Sequence, residues 1–308
     1  MTEYYVGTAG WSYEDWEGIV YPARKPRGFH PLLVLARWFN VVEVNSTFYR
    51  PAPPAMAAAW LKRVEDLPDF RFTVKLHQGF THEPRTFTNK DVEDFKAGVR
   101  LLLLRERLAA LLVQFPWSFR GSPENMEYLR RLFGVFADYP LALEVRHTSW
   151  ETPEFFGLLR DHRVAFCNID QPVFNDSIGP SAVVTNPDFA YVRLHGRNYK
   201  NWFREDAGRD DRYDYLYTKD ELGDWVERIR SLGSKSSKVY VITNNHYRGQ
   251  AVANALQNRN MITGQKVDIP SLLLEKYPAL KEIVDRIRSG QMDLFGDRDG
   301  GDPESPKD

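Results

Sequence analysis

The sequence predicts a closed α/β barrel with a polar site at its mouth, and three observations predict it. Short β-rich runs occur eight times, and amphipathic helical patterns lie between them, which implies parallel strands. The runs also end in charged or amide side chains on every second residue: Glu43 with Asn45, Lys75 with His77, Glu144 with Arg146, Asn168 with Asp170, and Arg193 with His195. Residues two apart on a strand share a face, so each pair points one way while Val44, Val74, Val145, Ile169 and Leu194 point the other. An apolar outer face under helices, with polar groups at the inner strand ends, is what a TIM-type (β/α)8 barrel requires.

Taken in order, the strand-like runs are Tyr4 to Thr8, Val41 to Asn45, Phe70 to Leu76, Leu111 to Phe115, Leu141 to Arg146, Val164 to Asp170, Phe189 to His195 and Val239 to Thr243. Helical periodicity falls between them at Leu32 to Phe39, Pro54 to Val64, Val92 to Leu108, Pro123 to Phe136, Pro153 to Asp161 and Lys219 to Leu232, then after the last strand at Gly249 to Asn258. Pro54, Pro123 and Pro153 suit a first turn, where a missing N–H costs nothing. The pattern loosens late: Gln171 to Asp188 shows no helix, and His195 to Tyr217 is long, aromatic and charged, as loops over a mouth would be. A further helix is predicted from Ser271 to Arg288. Residues 1 to 289 therefore read as one barrel domain, and the acidic Gly-, Asp- and Pro-rich stretch 290 to 308 as a flexible tail.

Composition narrows the function. A chain of 308 residues with 43% hydrophobic residues supports a sizeable core, and 41 basic against 42 acidic residues gives no global pull toward nucleic acid or anionic membrane. The lone Cys167 excludes an intramolecular disulfide framework and reads as a buried structural thiol. No basic and apolar leader precedes the first strand, and no apolar run approaches the ~20 residues of a membrane helix, so a soluble cytoplasmic protein is expected.

Several stretches carry a resemblance. GTAGWSYEDWEGIVYP (7 to 22), VEVNSTFYRPAP (42 to 53), VKLHQGFTH (74 to 82), VQFPWSF (113 to 119), LEVRHTSW (143 to 150), VRLHGR (192 to 197) and ITNNH (242 to 246) resemble the YecE-like family, also called domain of unknown function 72. The resemblance runs in order from about residue 4 to 260. It implies a TIM-type barrel and no particular reaction, so the chemistry has to be argued from the residues.

Assigning inward parity to the strand ends gathers Glu43, Glu144 and Asp170 with Lys75, Arg146 and Arg193, and adds His77 and His195. One reading is a self-neutralising structural network. The other is a working site, because burying so many ionisable groups at strand C-termini is costly unless a ligand or reaction uses them. Glu43, Lys75, Glu144, Asp170 and His195 are the candidate catalytic groups. The candidate ligand-binding groups are Trp11, Asn45, Tyr49, His77, Arg146, His147, Trp150, Arg193, Arg197, Asn244, Asn245 and His246, with Trp11 expected to face the mouth because it follows Gly10.

Basic loop residues Arg50, His82, His147, Arg197, Lys200, Arg204 and His246 favour an anionic ligand, and neighbouring aromatics suit a nucleotide, a nucleic-acid strand or a sugar. His195, beside Arg193 and Arg197, is a candidate proton donor. Glu43 and Glu144 admit glycoside hydrolysis. Lys75 admits a Schiff base, although nearby acids would tend to keep it protonated. No cofactor is identified: Glu43, Glu144, Asp170, His195 and His246 supply O and N donors for a divalent metal, but there is no local ligand signature and the interleaved cations compete. Nothing matches a nucleophile elbow, a dinucleotide fingerprint or a P-loop. A non-catalytic binding module stays open beside the enzyme readings. In the tail, Gln291, Met292, Asp293, Leu294 and Phe295 resemble a DNA sliding-clamp binding motif, with fold-back packing of Leu294 and Phe295 as the alternative.

Overall fold

In the computed structural model, residues 2–82, 87–204, 206 and 208–288 are described; Gln291 to Phe295 lie outside them. Eight parallel strands form a closed barrel in sequence order: β1 (Glu3–Ala9), β2 (Val41–Val44), β3 (Arg71–Lys75), β4 (Leu108–Gln114), β5 (Leu141–Glu144), β6 (Ala165–Asp170), β7 (Phe189–Leu194) and β8 (Lys238–Thr243), with β8 pairing back onto β1. Closure leaves no sheet edge to protect.

Helices α1 (Pro31–Leu35), α2 (Ser46–Tyr49), α3 (Pro54–Arg63), α4 (Asn89–Leu104), α5 (Pro123–Val135) and α6 (Pro153–Asp161) follow the first five strands, with α2 and α3 both after β2. The short α7 (Arg209–Arg212) and α8 (Lys219–Gly233) follow β7, and α9 (Gln250–Thr263) follows β8. Proline stands in the first turn of α1, α3, α5 and α6. Thr88 with Asp91 and Thr218 with Glu221 form capping boxes at α4 and α8, satisfying N–H groups that a helix start leaves orphaned.

The apolar core lies between the strands and this helical layer. Val42, Val44, Phe72, Val74, Leu111 and Leu143 are buried in one cluster, and Val192, Leu194, Trp225, Val239 and Leu256 in another. The packing is tight enough to dictate glycine in places. A Cβ on Gly7 of β1 would lie 1.8 Å from the Val41 carbonyl oxygen, and one on Gly98 of α4 would lie 2.0 Å from that of Ala52.

The segment 171–188 contains no helix, as its composition predicts. Its backbone still needs partners once buried. Asn168 supplies them: its Nδ2 donates to the Val183 carbonyl (3.0 Å), and its Oδ1 accepts from Val183 N (2.8 Å) and Ser181 Oγ (2.8 Å).

The expected helix from Ser271 to Arg288 is not one helix. Helix α10 (Ser271–Lys276) ends before Pro278, which cannot donate to a helical ladder and restrains Tyr277. A 3-10 turn over Pro278–Ile283 follows, then β10 (Val284–Arg288), which pairs with β9 (Val267–Pro270) outside the barrel.

Candidate functional site

Register fixes which side chains enter the barrel. Glu43 pairs with Thr73, Lys75 with Leu112, Gln114 with Glu144, and Tyr191 and Arg193 with Cys167 and Ile169. Cα partners in neighbouring strands share a face. The interior therefore holds Glu43, Thr73, Lys75, Gln114, Glu144, Cys167, Ile169, Tyr191 and Arg193, and the expectation for β6 is reversed. Ile169 points in and Asp170 points out. The outward direction is stabilised by what lies there: Trp225 Nε1 donates to Asp170 Oδ2 (2.9 Å), and Arg197 Nε donates to both carboxylate oxygens (3.1 and 3.0 Å).

Arg193 is the hub of the interior. Its guanidinium donates to Glu43 through Nε (3.0 Å) and Nη2 (2.7 Å), and to Glu144 through Nη1 (2.5 Å). Glu43 also accepts from the Tyr191 hydroxyl (3.0 Å), which lies 2.9 Å from Thr73 Oγ1; a carboxylate only accepts, so Tyr191 donates to Glu43 and accepts from Thr73. Glu144 Oε1 accepts from Arg146 Nε (3.0 Å) and Nη2 (2.8 Å), and lies 3.1 Å from His195 Nε2. All three residues of the Glu43–Arg193–Glu144 bridge are buried. An isolated ion there would cost several kcal/mol, and the mutual pairing offsets that cost.

The electrostatics follow from this wiring. Burial alone would raise the Glu144 carboxyl, but Arg193, His195 and Arg146 hold it well below the ordinary carboxylate range. Burial, followed by the positive Arg146 and Arg193, pushes the His195 imidazole down to about 3 despite Glu144. Its Nδ1 lies 2.9 Å from Asn244 Nδ2, a donor, so the neutral ring carries its proton on Nε2 toward Glu144. His195 is therefore a neutral, enclosed bracket between Glu144 and Asn244 rather than the expected proton donor beside Arg197. Cys167 Sγ lies 4.0 Å from Glu144 Oε2, and burial with that negative neighbour pushes its thiol well up, as a structural thiol would be.

Lys75 is the exception. The carboxylates expected to hold its charge are closed by Arg193 and Arg146, and among the described residues its Nζ has no ion pair or hydrogen bond. Its Nζ instead stands over the Phe48 ring, 3.9 Å from the centroid. Burial and then Arg193 bring its amine down from the ordinary 10.5 to about 7, outweighing Glu144 and Glu43. The expectation that nearby acids keep it protonated is thus corrected: the acids are present but already committed.

Above these groups opens a solvent-connected cavity of about 110 Å³. Lys75, Arg193 and Gln114 line it from the strands, Phe48 and Tyr49 from α2, and Asn45, Arg146, Asn244, Tyr13, Tyr213 and His246 from the segments beyond the strand ends. Tyr13 stacks on His246 (4.5 Å between centroids, 10° between planes), and Tyr213 leans on the same imidazole at 5.2 Å. Arg146 keeps Nη1 outside its pairing with Glu144 and stands over Trp202 at 5.5 Å. Asn45 Oδ1 is buried without a hydrogen-bond partner.

Other expected site residues lie elsewhere. Trp150 is a core plug, buried with its Nε1 donating to the Phe119 carbonyl (2.7 Å). Asn245 is buried and donates to Tyr215 O and Asn254 Oδ1, tying the loop after β8 to α9. Arg197 serves Asp170 and Glu221 on the outer face. His77 and His147 accept from the N–H groups of Gly79 and Ser149 at the starts of short 3-10 turns. Trp11 does not line this cavity; it sits edge-on to Trp60 and borders an adjoining cleft that shares Tyr13, Asn45 and Tyr49. Because Asp170 is outside, Glu43, Glu144, Asp170, His195 and His246 do not converge, and no metal-holding group of three His, Cys, Asp or Glu occurs among the described residues. Among the residues that the sequence reading does not single out, Gln114 and Tyr191 follow from strand parity, whereas Tyr213 comes from a long loop with no such signal.

Comparison with known proteins agrees with this architecture. The family model described as protein of unknown function DUF72 matches residues 5–278. The chain is 31% identical to UPF0759 protein YunF of Bacillus subtilis over 266 residues, 82% of this chain and 92% of that one. It is also 31% identical to UPF0759 protein YecE of Escherichia coli K12 over 155 residues, about half of each. A crystal structure of a DUF72 family protein from Thermotoga maritima superimposes with a TM-score of 0.74 at 36% identity, covering 84% of this chain and 99% of that one. A family member from Enterococcus faecalis also gives 0.74, at 27% identity, with 84% and 95% covered. The protein described here belongs to the DUF72 family.

Proposed function

We propose that the mouth of the barrel binds a small ligand carrying a phosphate or similarly compact anionic group, with a flat portion against the Tyr13, His246 and Tyr213 wall. The observation that carries this reading is the pairing pattern. Two carboxylates and two guanidiniums cancel across Glu43, Glu144, Arg193 and Arg146. The donors left over, Lys75 Nζ and Arg146 Nη1, belong to residues lining one cavity. A planar guanidinium and an ammonium are what phosphate recognition uses.

Glycoside hydrolysis through Glu43 and Glu144 is less well supported. That chemistry needs a carboxylic acid with a raised pKa, and Glu144 is held low by its cations.

The test is thermal stabilisation by inorganic phosphate, sugar phosphates, mononucleotides and short single-stranded DNA at fixed salt. Phosphate-bearing ligands are expected to stabilise the protein, and Lys75→Met or Arg146→Ala to weaken affinity about ten- to hundredfold, as loss of one charged hydrogen bond implies. Because an anion favours the protonated Lys75, affinity should fall as pH rises from 7 to 9. Equal stabilisation by neutral sugars, or stabilisation surviving both substitutions, would contradict the proposal.

A further inference from the structure

We infer that Lys75 is a carbonyl-reactive amine, forming a reversible Schiff base with an aldehyde or ketone whose anionic group rests toward Arg146. The inference rests on the anion-binding reading above and adds covalent chemistry to it.

Position comes first. Lys75 closes β3 with its side chain turned into the barrel, at the C-terminal mouth, and lines the cavity. The lysine is fixed at both ends: its carbonyl accepts from Thr47 Oγ1 (2.7 Å), and its Nζ rests against the Phe48 ring. Its amine has no carboxylate to lock it as an ammonium, since Arg193 and Arg146 occupy Glu43 and Glu144. A lysine in a partly desolvated pocket beside other cations is the setting in which an amine is released for nucleophilic attack. Its pKa of about 7 leaves on the order of a thousandfold more neutral amine at neutral pH than an ordinary lysine offers.

The step balances without an added oxidant or reductant. The neutral Nζ attacks the carbonyl carbon; the C–N bond forms as the C=O π pair moves to oxygen, and proton transfer gives a carbinolamine. Protonation of its hydroxyl and loss of water leave a protonated C=N bond. The iminium places one positive charge where the neutral amine had none. The four paired groups are already balanced, so an anion on the same ligand would complement that charge. Hydrolysis reverses each step. Asn45 Oδ1, buried without a partner at the same cavity, offers an acceptor for the carbinolamine hydroxyl.

The test uses pyridoxal 5′-phosphate, which joins an aldehyde to a phosphate, and pyridoxal, which lacks the phosphate. Each is added at low concentration to the full-length chain, reduced with borohydride and mapped by mass spectrometry. The expected result is a single adduct on Lys75, formed at least about tenfold faster than on the exposed Lys90 or Lys219, absent in Lys75→Met and slowed in Arg146→Ala. Unchanged thermal unfolding shows that the Arg146 variant is folded. Labelling spread evenly over exposed lysines, with Lys75 unmodified, would overturn the proposal. Equal rates with pyridoxal would keep the reactive amine and remove the anion site. Stabilisation by pyridoxal 5′-phosphate without a reducible adduct would keep the anion site and remove the Schiff base.

Discussion

Lys75 shows how one residue's environment can differ from what its sequence neighbours suggest. Strand parity places Lys75, Glu43 and Glu144 on one interior face, and charge matching then suggests that the acids hold the ammonium. What parity cannot give is how acceptors are allotted. Arg193 presents a fork that reaches both carboxylates at once, so the acceptors are taken and Lys75 meets an aromatic face. The consequence for stability has a definite sign. The folded pKa of Lys75, about 7, lies below the ordinary 10.5, so the unfolded chain binds the extra proton between those values and stability rises with pH across that window. Below about pH 7 both states are charged and the folded state carries the full desolvation cost. Lys75→Met should therefore stabilise the protein by about 1 to 3 kcal/mol at pH 6 to 7, with the gain fading toward pH 10.5, as followed by denaturant unfolding across pH. Destabilisation at pH 7 would mean that the amine is paired.

At the scale of elements, strand and helix positions were largely legible because β-branched runs, prolines and capping residues act locally. The departures trace to partners distant in sequence. Strand β6 carries the same polar alternation as its neighbours, yet Asn168 and Asp170 face outward because Val183, Ser181, Trp225 and Arg197 need them there. With no helix between β6 and β7, an outward polar face becomes useful, and alternation alone does not reveal that exchange. Likewise the hydrophobic pattern after Ser271 could not separate a helix from the α10, 3-10 turn and β10 sequence that Pro278 imposes. If Asp170 is an outer-face clasp, Asp170→Asn should cost about 1 to 3 kcal/mol through weakened pairing of Arg197 and Trp225, while ligand-dependent stabilisation at the mouth is unchanged. Loss of ligand response in a folded Asp170→Asn protein would place Asp170 back in the working ring.

For the whole molecule, the barrel supplies rigidity and the Arg193 bridge ties β2, β5 and β7 across its interior. Replacing Arg193 with Met would leave Glu43 and Glu144 buried without their shared cation, and a loss of about 3 to 5 kcal/mol is expected in denaturant unfolding. Near-wild-type stability would show that water or a neighbouring cation can replace the bridge. Described helices give no span long and apolar enough to cross a membrane. Together with Arg146, the same bridge sets two guanidiniums against Glu43 and Glu144 and leaves Lys75 outside that pairing. Lys75, with no ion pair or hydrogen bond at its amine among the described residues, is the feature on which the proposed anion binding and the inferred carbonyl chemistry both rest.

It can be observed directly by NMR of protein labelled at the lysine side-chain carbons and nitrogen, with Lys75→Met assigning the signal. The Lys75 resonance should titrate near pH 7, well below the ordinary lysine value of 10.5, and an added phosphate ester should move its midpoint upward. A Lys75 midpoint in the ordinary lysine range, unmoved by ligand, would contradict the assignment of this mouth.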